Sequence, residues 1–179
     1  RDYRGYAGKI EGGAFKKGDK VKLLPSGFMS TIKTIEINGE NIEEAYSPMS
    51  VSVTLKDDLD ISRGDMIVKE NNVPVISQDL DLMICWMDNT DLKSRKKVII
   101  KHTTNECLGM ITEILYKLDI NTLHSIKDFE DFKLNDIGRI KIRSSKPLFY
   151  DSYKKNRHTG SIILIDPNTN ATIAAGMII

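Results

Sequence analysis

Apolar and polar residues alternate along this chain in short segments separated by turn residues. The clearest segment is residues 50–56, where Val51, Val53 and Leu55 share one parity while serine, threonine and lysine occupy the other. A period of two is typical of a strand with one buried face. Similar segments begin at Tyr6, Lys20, Met29 and Met66. Five or six short strands joined by turns favour a closed barrel for the first part of the chain.

The stretch from Gly5 to Leu24 predicts a strand, a tight turn and a second strand, and therefore an initial hairpin. Gly12 and Gly13 supply the turn, because glycine reaches φ values above zero without a Cβ clash. Val21 then alternates with lysines on either side, as in a half-buried strand.

A second set of strands follows a polar stretch at residues 69–78, which is the predicted linker because it contains Asn71, Asn72 and Pro74. These strands are predicted at residues 81–87, 97–102, 107–120, 137–143, 161–166 and 171–178. Only residues 122–132 are predicted to form a short helix, because no segment keeps helical periodicity over three turns.

The resulting interpretation is an all-β protein of two consecutive small β-barrels, residues 1–73 and 74–179. In the longest predicted strand, the apolar residues from Leu108 to Ile120 share one parity apart from Thr112.

The composition argues against a membrane-spanning protein and against a small disulfide-rich protein. Hydrophobic residues make up 40% of the 179 positions, charged residues 28%, and the net charge is +1, as in ordinary globular proteins. No apolar run is long enough to cross a membrane, and Cys85 and Cys107 are too few for a disulfide framework. We therefore expect a cytoplasmic protein that binds neither a membrane nor nucleic acid. Because the first residue is Arg1 and not methionine, we expect a piece of a longer protein.

Motifs for chemistry are absent from the sequence. It contains no G-x-x-x-x-G-K-[ST] phosphate loop and no G-x-S-x-G nucleophile motif. Cys85, His102 and Cys107 lack the spacing of zinc ligands, so the cysteines are interpreted as partly buried strand residues. The tripeptide at residues 63–65, RGD, is interpreted as a tight turn. We predict no catalytic residue, no cofactor site and no metal site.

Two groups of basic residues remain as candidates for binding. Lys93, Arg95, Lys96, Lys97 and Lys101 could contact RNA phosphates, but without interleaved aromatic residues a solvated loop is the favoured interpretation.

The second group is Arg157 and His158, which lie on a loop just before a strongly apolar segment. They are predicted to contact a partner or another domain, and the equal alternative is that they only order their own loop.

The last quarter of the chain is its most distinctive part. It reads PLFYDSY at residues 147–153, NRHTGSIILID at 156–166, TNAT at 169–172 and AGMI at 175–178. Earlier segments are DYRGYAG at residues 2–8, LPSG at 24–27, DISRGD at 60–65, WM at 86–87 and DINTL at 119–123. Together they resemble the two barrels of the large, GTP-hydrolysing subunit of bacterial sulfate adenylyltransferase, a translation-factor-like GTPase.

That resemblance implies a parent protein with a GTPase domain ahead of the two barrels. It also implies a small catalytic subunit that joins sulfate to the adenylyl group of ATP, giving adenosine 5′-phosphosulfate and pyrophosphate. GTP hydrolysis drives this unfavourable step, and GTP and Mg²⁺ belong to the N-terminal domain and not to the barrels. Arg157 and His158 would then contact the GTPase domain or the small subunit.

Two alternatives stay open at the level of sequence. One is a translation elongation factor fragment whose barrels hold aminoacyl-tRNA, against which the near-neutral charge and residues 156–166 argue. The other is a stand-alone binding module unrelated to GTPases.

Overall fold

The structure, a computed structural model, describes residues 3–179. These residues form strands joined by turns and loops, and no helix occurs among them. The predicted all-β class is confirmed. Within the described residues there is accordingly no helix that is long and apolar enough to span a membrane. The chain divides into two compact units between Val73 and Pro74.

The first unit is built on one antiparallel sheet and a separate strand pair. Its strands are β1 Tyr6–Lys9, β2 Ala14–Lys16, β3 Lys20–Leu24, β4 Met29–Ile37, β5 Glu40–Ile42, β6 Glu44–Tyr46, β7 Ser50–Leu55 and β8 Met66–Lys69. The sheet order is β1-β7-β4-β3-β8, with β5 beside β4, and β2 pairs with β6. Val51, Val53 and Leu55 are buried together with Ile32 and Ile35, as the alternation of β7 predicts.

The predicted initial hairpin is wrong. β1 pairs with β7, so that Tyr6 lies opposite Val53, and β2 pairs with β6, where Phe15 lies opposite Ala45. The turn at Gly13 exists, with φ at +70°. After this turn the chain does not pair back with β1. The strands that complete the sheet beside β1 and β2 are β7 and β6, which come later in the sequence.

The second unit is a closed barrel. Its strands are β9 Val75–Trp86, β10 Lys97–His102, β11 Asn105–Leu118, β12 Ser125–Ile126, β13 Ile137–Tyr150, β14 Ser161–Ile165 and β15 Thr172–Ile178. The hydrogen-bonded order β10-β14-β15-β9-β13-β11 closes on itself because β10 also pairs with β11, and β12 lies outside this ring. Trp86, Ile100, Ile111, Ile140 and Leu164 fill its core and are fully buried.

β11 does not keep the single apolar parity that its sequence suggests. Leu108 is 60% exposed, whereas Ile111, on the other parity, is fully buried. The pairing with β13 shifts register after Ile111 and again after Ile114, and Ile114 packs against the core. Each bulge changes which parity faces inward.

The predicted helix at residues 122–132 is also wrong. Ser125–Ile126 forms β12, and the following residues form a loop. Phe129 and Phe132 have the i, i+3 spacing of a helix, but their rings meet edge to face at 6.2 Å, and Phe132 is fully buried in the barrel core. Phe132 therefore reaches the barrel core from a loop that contains no helical turn.

Candidate interdomain contact surface

The loop at residues 151–160, which carries Arg157 and His158, is held by a dense set of hydrogen bonds. The backbone N–H of Tyr153 donates to the carbonyl of Ile178 at 2.8 Å, and the N–H of Ile178 donates to the carbonyl of Gly160 at 2.8 Å. The side chain of Asn156 accepts from the N–H of His158 at 2.9 Å. The loop is thus fixed to β15, which gives its exposed side chains a defined position.

The loop is also anchored to β10. The Nε2–H of His102 donates to the carbonyl oxygen of Thr159 at 2.7 Å, and both residues are buried. Because a carbonyl oxygen only accepts, His102 must carry its proton on Nε2 here.

Arg157 and His158 themselves are exposed at the surface of this loop. The guanidinium carbon of Arg157 lies 5.9 Å from the centroid of the Tyr153 ring, and its carbonyl accepts from the Ser161 hydroxyl at 2.5 Å. Stacking on Tyr153 limits the rotamers of Arg157 while its donors stay available. Arg157 therefore lies just before β14, and its guanidinium N–H groups face solvent, where they can donate hydrogen bonds to a partner.

An apolar surface on the outside of the barrel begins at the same place. We call it the outer face; its residues are Ile99, Ile163, Ala175, Met177, Met83 and Cys85. In cross-strand register, Ile163 lies opposite Ala175, Ala175 opposite Cys85, and Met177 opposite Met83. Ile163 is 39% exposed and Met177 42% exposed. These apolar side chains make the outer face a candidate contact surface.

Charged residues lie at the edge of the outer face. Lys101 lies opposite Ile163 on the neighbouring strand, and the hydroxyl of Ser161, which bonds the Arg157 carbonyl, belongs to the residue opposite Met177. Within residues 3–179 neither Lys101 nor Arg157 forms an ion pair with a carboxylate, although Glu106 lies opposite Lys101 on β11. The outer face thus combines an apolar area with two cations at its border.

The exterior surface next to the outer face has a different character, and it begins at Arg139, which lies opposite Met83 in register. Ion pairs join Arg139 to Asp81, Arg143 to Asp79, and Lys141 to Glu113. The pair of Arg139 and Asp81 is bidentate, at 2.8 and 2.6 Å, and these hydrogen bonds raise the pKa of the arginine. This surface satisfies its own charges across β9, β13 and β11, whereas the outer face presents apolar side chains.

The other candidates from the sequence do not assemble into a site. No group of three or more His, Cys, Asp or Glu residues in the described part of the chain could hold a metal ion. His102 anchors the loop, and burial raises the pKa of the Cys107 thiol. Gly64, at φ +100°, lies in a tight turn in which the N–H of Asp65 donates to the Ser62 carbonyl, as interpreted from the sequence.

The five basic residues between Lys93 and Lys101 separate in the structure. The ammonium of Lys96 lies 3.5 Å from Asp166 and 5.7 Å from the centroid of the Trp86 ring, so its charge is compensated. Lys101 belongs to the border of the outer face. Lys93 and Arg95 lie on an exposed loop, and Lys97 is the exposed first residue of β10.

The outer face was missed at the level of sequence. The signal was present, because residues 161–165, SIILI, are apolar on both parities, which is the pattern of a strand covered on both sides. The sequence does not by itself show which of these residues point outward.

Comparison with known proteins identifies the second unit. The family described as GTP-eEF1A C-terminal domain-like matches residues 79–179. The chain belongs to this family. The outer face and the loop that carries Arg157 both lie within the residues that match this family.

Related proteins cover the whole chain. It is 46% identical over its full length to the bifunctional enzyme CysN/CysC of Mycobacterium tuberculosis, of which it covers 29%. It is 44% identical over 99% of its length to sulfate adenylyltransferase subunit 1 of Bacteroides fragilis, of which it covers 37%. The chain therefore spans roughly a third of these relatives, and their names bear out the resemblance seen in the sequence.

Solved structures agree on the fold. The crystal structure of Sup35 bound to GDP superposes with a TM-score of 0.86, at 18% identity, over 98% of this chain and 45% of that one. This likeness confirms the translation-factor type of barrel predicted from the sequence. At 18% identity it concerns the fold alone.

Proposed function

We propose that this chain forms the two-barrel region, residues 1–73 and 74–179, of the large subunit of a bacterial sulfate adenylyltransferase in the cytoplasm. The observation that carries the proposal is the identity of 46% and 44%, along essentially the whole chain, to proteins that bear the names CysN/CysC and sulfate adenylyltransferase subunit 1. The parent couples GTP hydrolysis to the synthesis of adenosine 5′-phosphosulfate and pyrophosphate from ATP and sulfate. The barrels carry no catalytic residue of their own.

In this proposal GTP and Mg²⁺ bind to a GTPase domain of the parent and not to the barrels. The residues that would hold a phosphate, a loop of glycines with a lysine, do not occur in the sequence. The barrels couple the change between the GTP-bound and GDP-bound states of that domain to the small catalytic subunit. A coupling free energy of roughly 1–3 kcal/mol is enough for that task.

The outer face is the proposed contact with the GTPase domain. Burying Ile163 and Met177 there removes apolar surface from water. Arg157 and Lys101 at its border would pair with carboxylates of that domain, and His158 would contact the same region. Because the barrel is closed, a change in this contact moves the unit as a whole.

The test uses the complete two-subunit enzyme. Met177→Asp places a charge in the outer face, and Arg157→Ala removes the cation at its border. Both variants should lower GTP-stimulated synthesis of adenosine 5′-phosphosulfate at least tenfold while the GTP-independent rate is kept. Lys33→Ala, an exposed lysine on β4, is the control. If both variants are stimulated like the control, the outer face is not the contact. If the complete enzyme forms no adenosine 5′-phosphosulfate at all, the proposed function itself fails.

A further inference from the structure

The turn between β4 and β5 is formed by Asn38 and Gly39, and Asn38 is the only asparagine of the sequence that glycine follows. Ile37 lies opposite Glu40 in register, so these two residues make up the whole turn. Their φ values are +52° and +85°, the two positive values of a type I′ hairpin turn. Both residues are exposed at the end of the hairpin, so water reaches them.

An asparagine that precedes a glycine can lose its side-chain amide without an enzyme. The backbone nitrogen of the glycine attacks the side-chain carbonyl carbon of the asparagine, and the new C–N bond closes a cyclic imide. The C–N bond of the side-chain amide breaks, and ammonia leaves with the proton from the attacking nitrogen. Water then opens the imide at one of its two carbonyls. The product is aspartate, or isoaspartate, in which the chain continues through the side-chain carboxyl carbon.

Neither reacting group of this turn is held by a hydrogen bond. Within residues 3–179 no hydrogen bond engages the N–H of Gly39 or the side-chain amide of Asn38. The space around the attacking nitrogen is open as well, because Gly39 has no Cβ and no atom lies within 4 Å of the place where one would be. The attack on Asn38 therefore requires no bond to Gly39 to break first.

Other asparagines at turns are followed by an N–H that is already hydrogen-bonded. The N–H groups that follow Asn89, Asn121, Asn135 and Asn168 belong to Thr90, Thr122, Asp136 and Thr169, and their acceptors are Asp88 at 3.3 Å, Asp119 at 3.3 Å, the Lys133 carbonyl at 3.0 Å and Asp166 at 3.2 Å. Each of these nitrogens also carries the crowding of a neighbouring Cβ, which glycine lacks. Asn38 therefore meets fewer obstacles to ring closure than the asparagines of these turns.

The end of the β4–β5 hairpin is built to open locally. β5 has only three residues, pairs with β4 alone, and leaves Glu40 and Asn41 exposed. Segments with few buried contacts open at a low free-energy cost. Ring closure needs Asn38 to rotate out of its turn conformation, and this opening supplies that rotation.

We propose that Asn38 is a site of spontaneous deamidation, at which the Gly39 nitrogen displaces ammonia and water completes the conversion to aspartate or isoaspartate. The inference is independent of the proposed function, because the reaction needs only this chain and water. Isoaspartate adds a methylene to the backbone of a turn whose register accommodates two ordinary residues. Either product also adds a negative charge near Glu36 and Glu40 in the sequence. Both changes oppose the pairing of β4 with β5.

The experiment keeps the purified protein folded for days at mildly alkaline pH, where more of the backbone nitrogen is deprotonated. Peptide mapping by mass spectrometry measures the conversion of each asparagine, and enzymatic methylation of isoaspartate measures that product. Asn38 should convert at least tenfold faster than any other asparagine. Gly39→Asn tolerates positive φ but places a Cβ beside the nitrogen, so it should slow the reaction of Asn38 at least tenfold.

Asn38→Gly is the matched control, because glycine keeps the turn and has no amide to lose. The melting temperature of the wild type should fall during the incubation, and that of Asn38→Gly should not. Conversion of Asn38 only in denaturant would overturn the inference, since the folded turn would then shield it. Equal conversion of another asparagine in the folded protein would overturn it as well, because hydrogen-bonded N–H groups would then give no protection. A fully converted protein with an unchanged melting temperature would refute the effect on the hairpin.

Discussion

The Nε2 atom of His102 on β10 lies 2.7 Å from the carbonyl oxygen of Thr159, next to Arg157 and His158 in sequence. Both partners of this hydrogen bond are buried. It joins the loop that carries the proposed contact residues to the barrel wall. A buried carbonyl that loses its donor keeps its full desolvation penalty, so this bond matters more than an exposed one.

We expect His102→Leu to destabilise the protein by about 1–3 kcal/mol, because the Thr159 carbonyl would stay buried without this donor. Urea unfolding, with the slope of the transition compared between variants, measures the loss. His124→Leu, at an exposed histidine, is the matched control and should have little effect. Equal losses in the two variants would contradict the anchoring role.

Gly160→Ala should destabilise the loop by about 1–3 kcal/mol, since the added methyl has no room. A Cβ at this position would lie 2.4 Å from the backbone N and Cα of Tyr153 and 2.7 Å from the Asn156 carbonyl oxygen. Gly8→Ala is the control, because nothing lies within 4 Å of a Cβ there. A thermal melt of both variants is sufficient, and a tolerated Gly160→Ala would mean that the loop can shift.

Acid should weaken the protein through capped aspartates. Hydrogen bonds from the N–H groups of Asn168 and Thr169 lower the pKa of Asp166, and those of Asn121 and Thr122 lower the pKa of Asp119. A lowered folded-state pKa contributes stability that is present above the unfolded value, about 3.9, and is lost as pH falls through the folded value.

The melting temperature should therefore drop below about pH 4. Asp166→Asn keeps an acceptor oxygen but does not titrate, so its acid-induced drop should be smaller. Asp128→Asn, at an exposed aspartate outside both turns, is the control, and its melting temperature should fall with pH like that of the wild type. An unchanged acid profile in Asp166→Asn would show that other carboxylates govern the transition.

The second unit should fold without the first. Trp86 is the only tryptophan of the sequence, is fully buried and donates from Nε1 to the Thr90 carbonyl at 2.8 Å. A chain of residues 74–179 should therefore keep the blue-shifted fluorescence of a buried indole and lose it in one cooperative urea transition. Red-shifted emission without denaturant would contradict a separable unit near Pro74.

Most strands were predictable because their side chains alternate. The period of two predicts β7 directly, since one face of this strand meets the core. The partners of strands were not predictable in the same way. β1 pairs with β7, more than forty residues away, and nothing local to Gly12 and Gly13 specifies that choice.

The failures at β11 and at residues 122–132 have a related origin. A bulge changes the inward parity without any mark in the sequence, so Leu108 looked equivalent to Ile114. Phe129 and Phe132 follow a helical spacing because both must reach the same core. Arg157 and His158 could be singled out from residue type and position, but the outer face beside them required knowing which residues of β14 point outward.

The alternation of side chains in a closed barrel separates two kinds of evolutionary constraint. Inward residues such as Leu164 are constrained by packing in the barrel core. Their outward neighbours, such as Ile163, are constrained by contacts with a partner. Each set can drift without disturbing the other. Substitutions at outward positions can therefore change what the barrel binds while the inward residues keep its core packed.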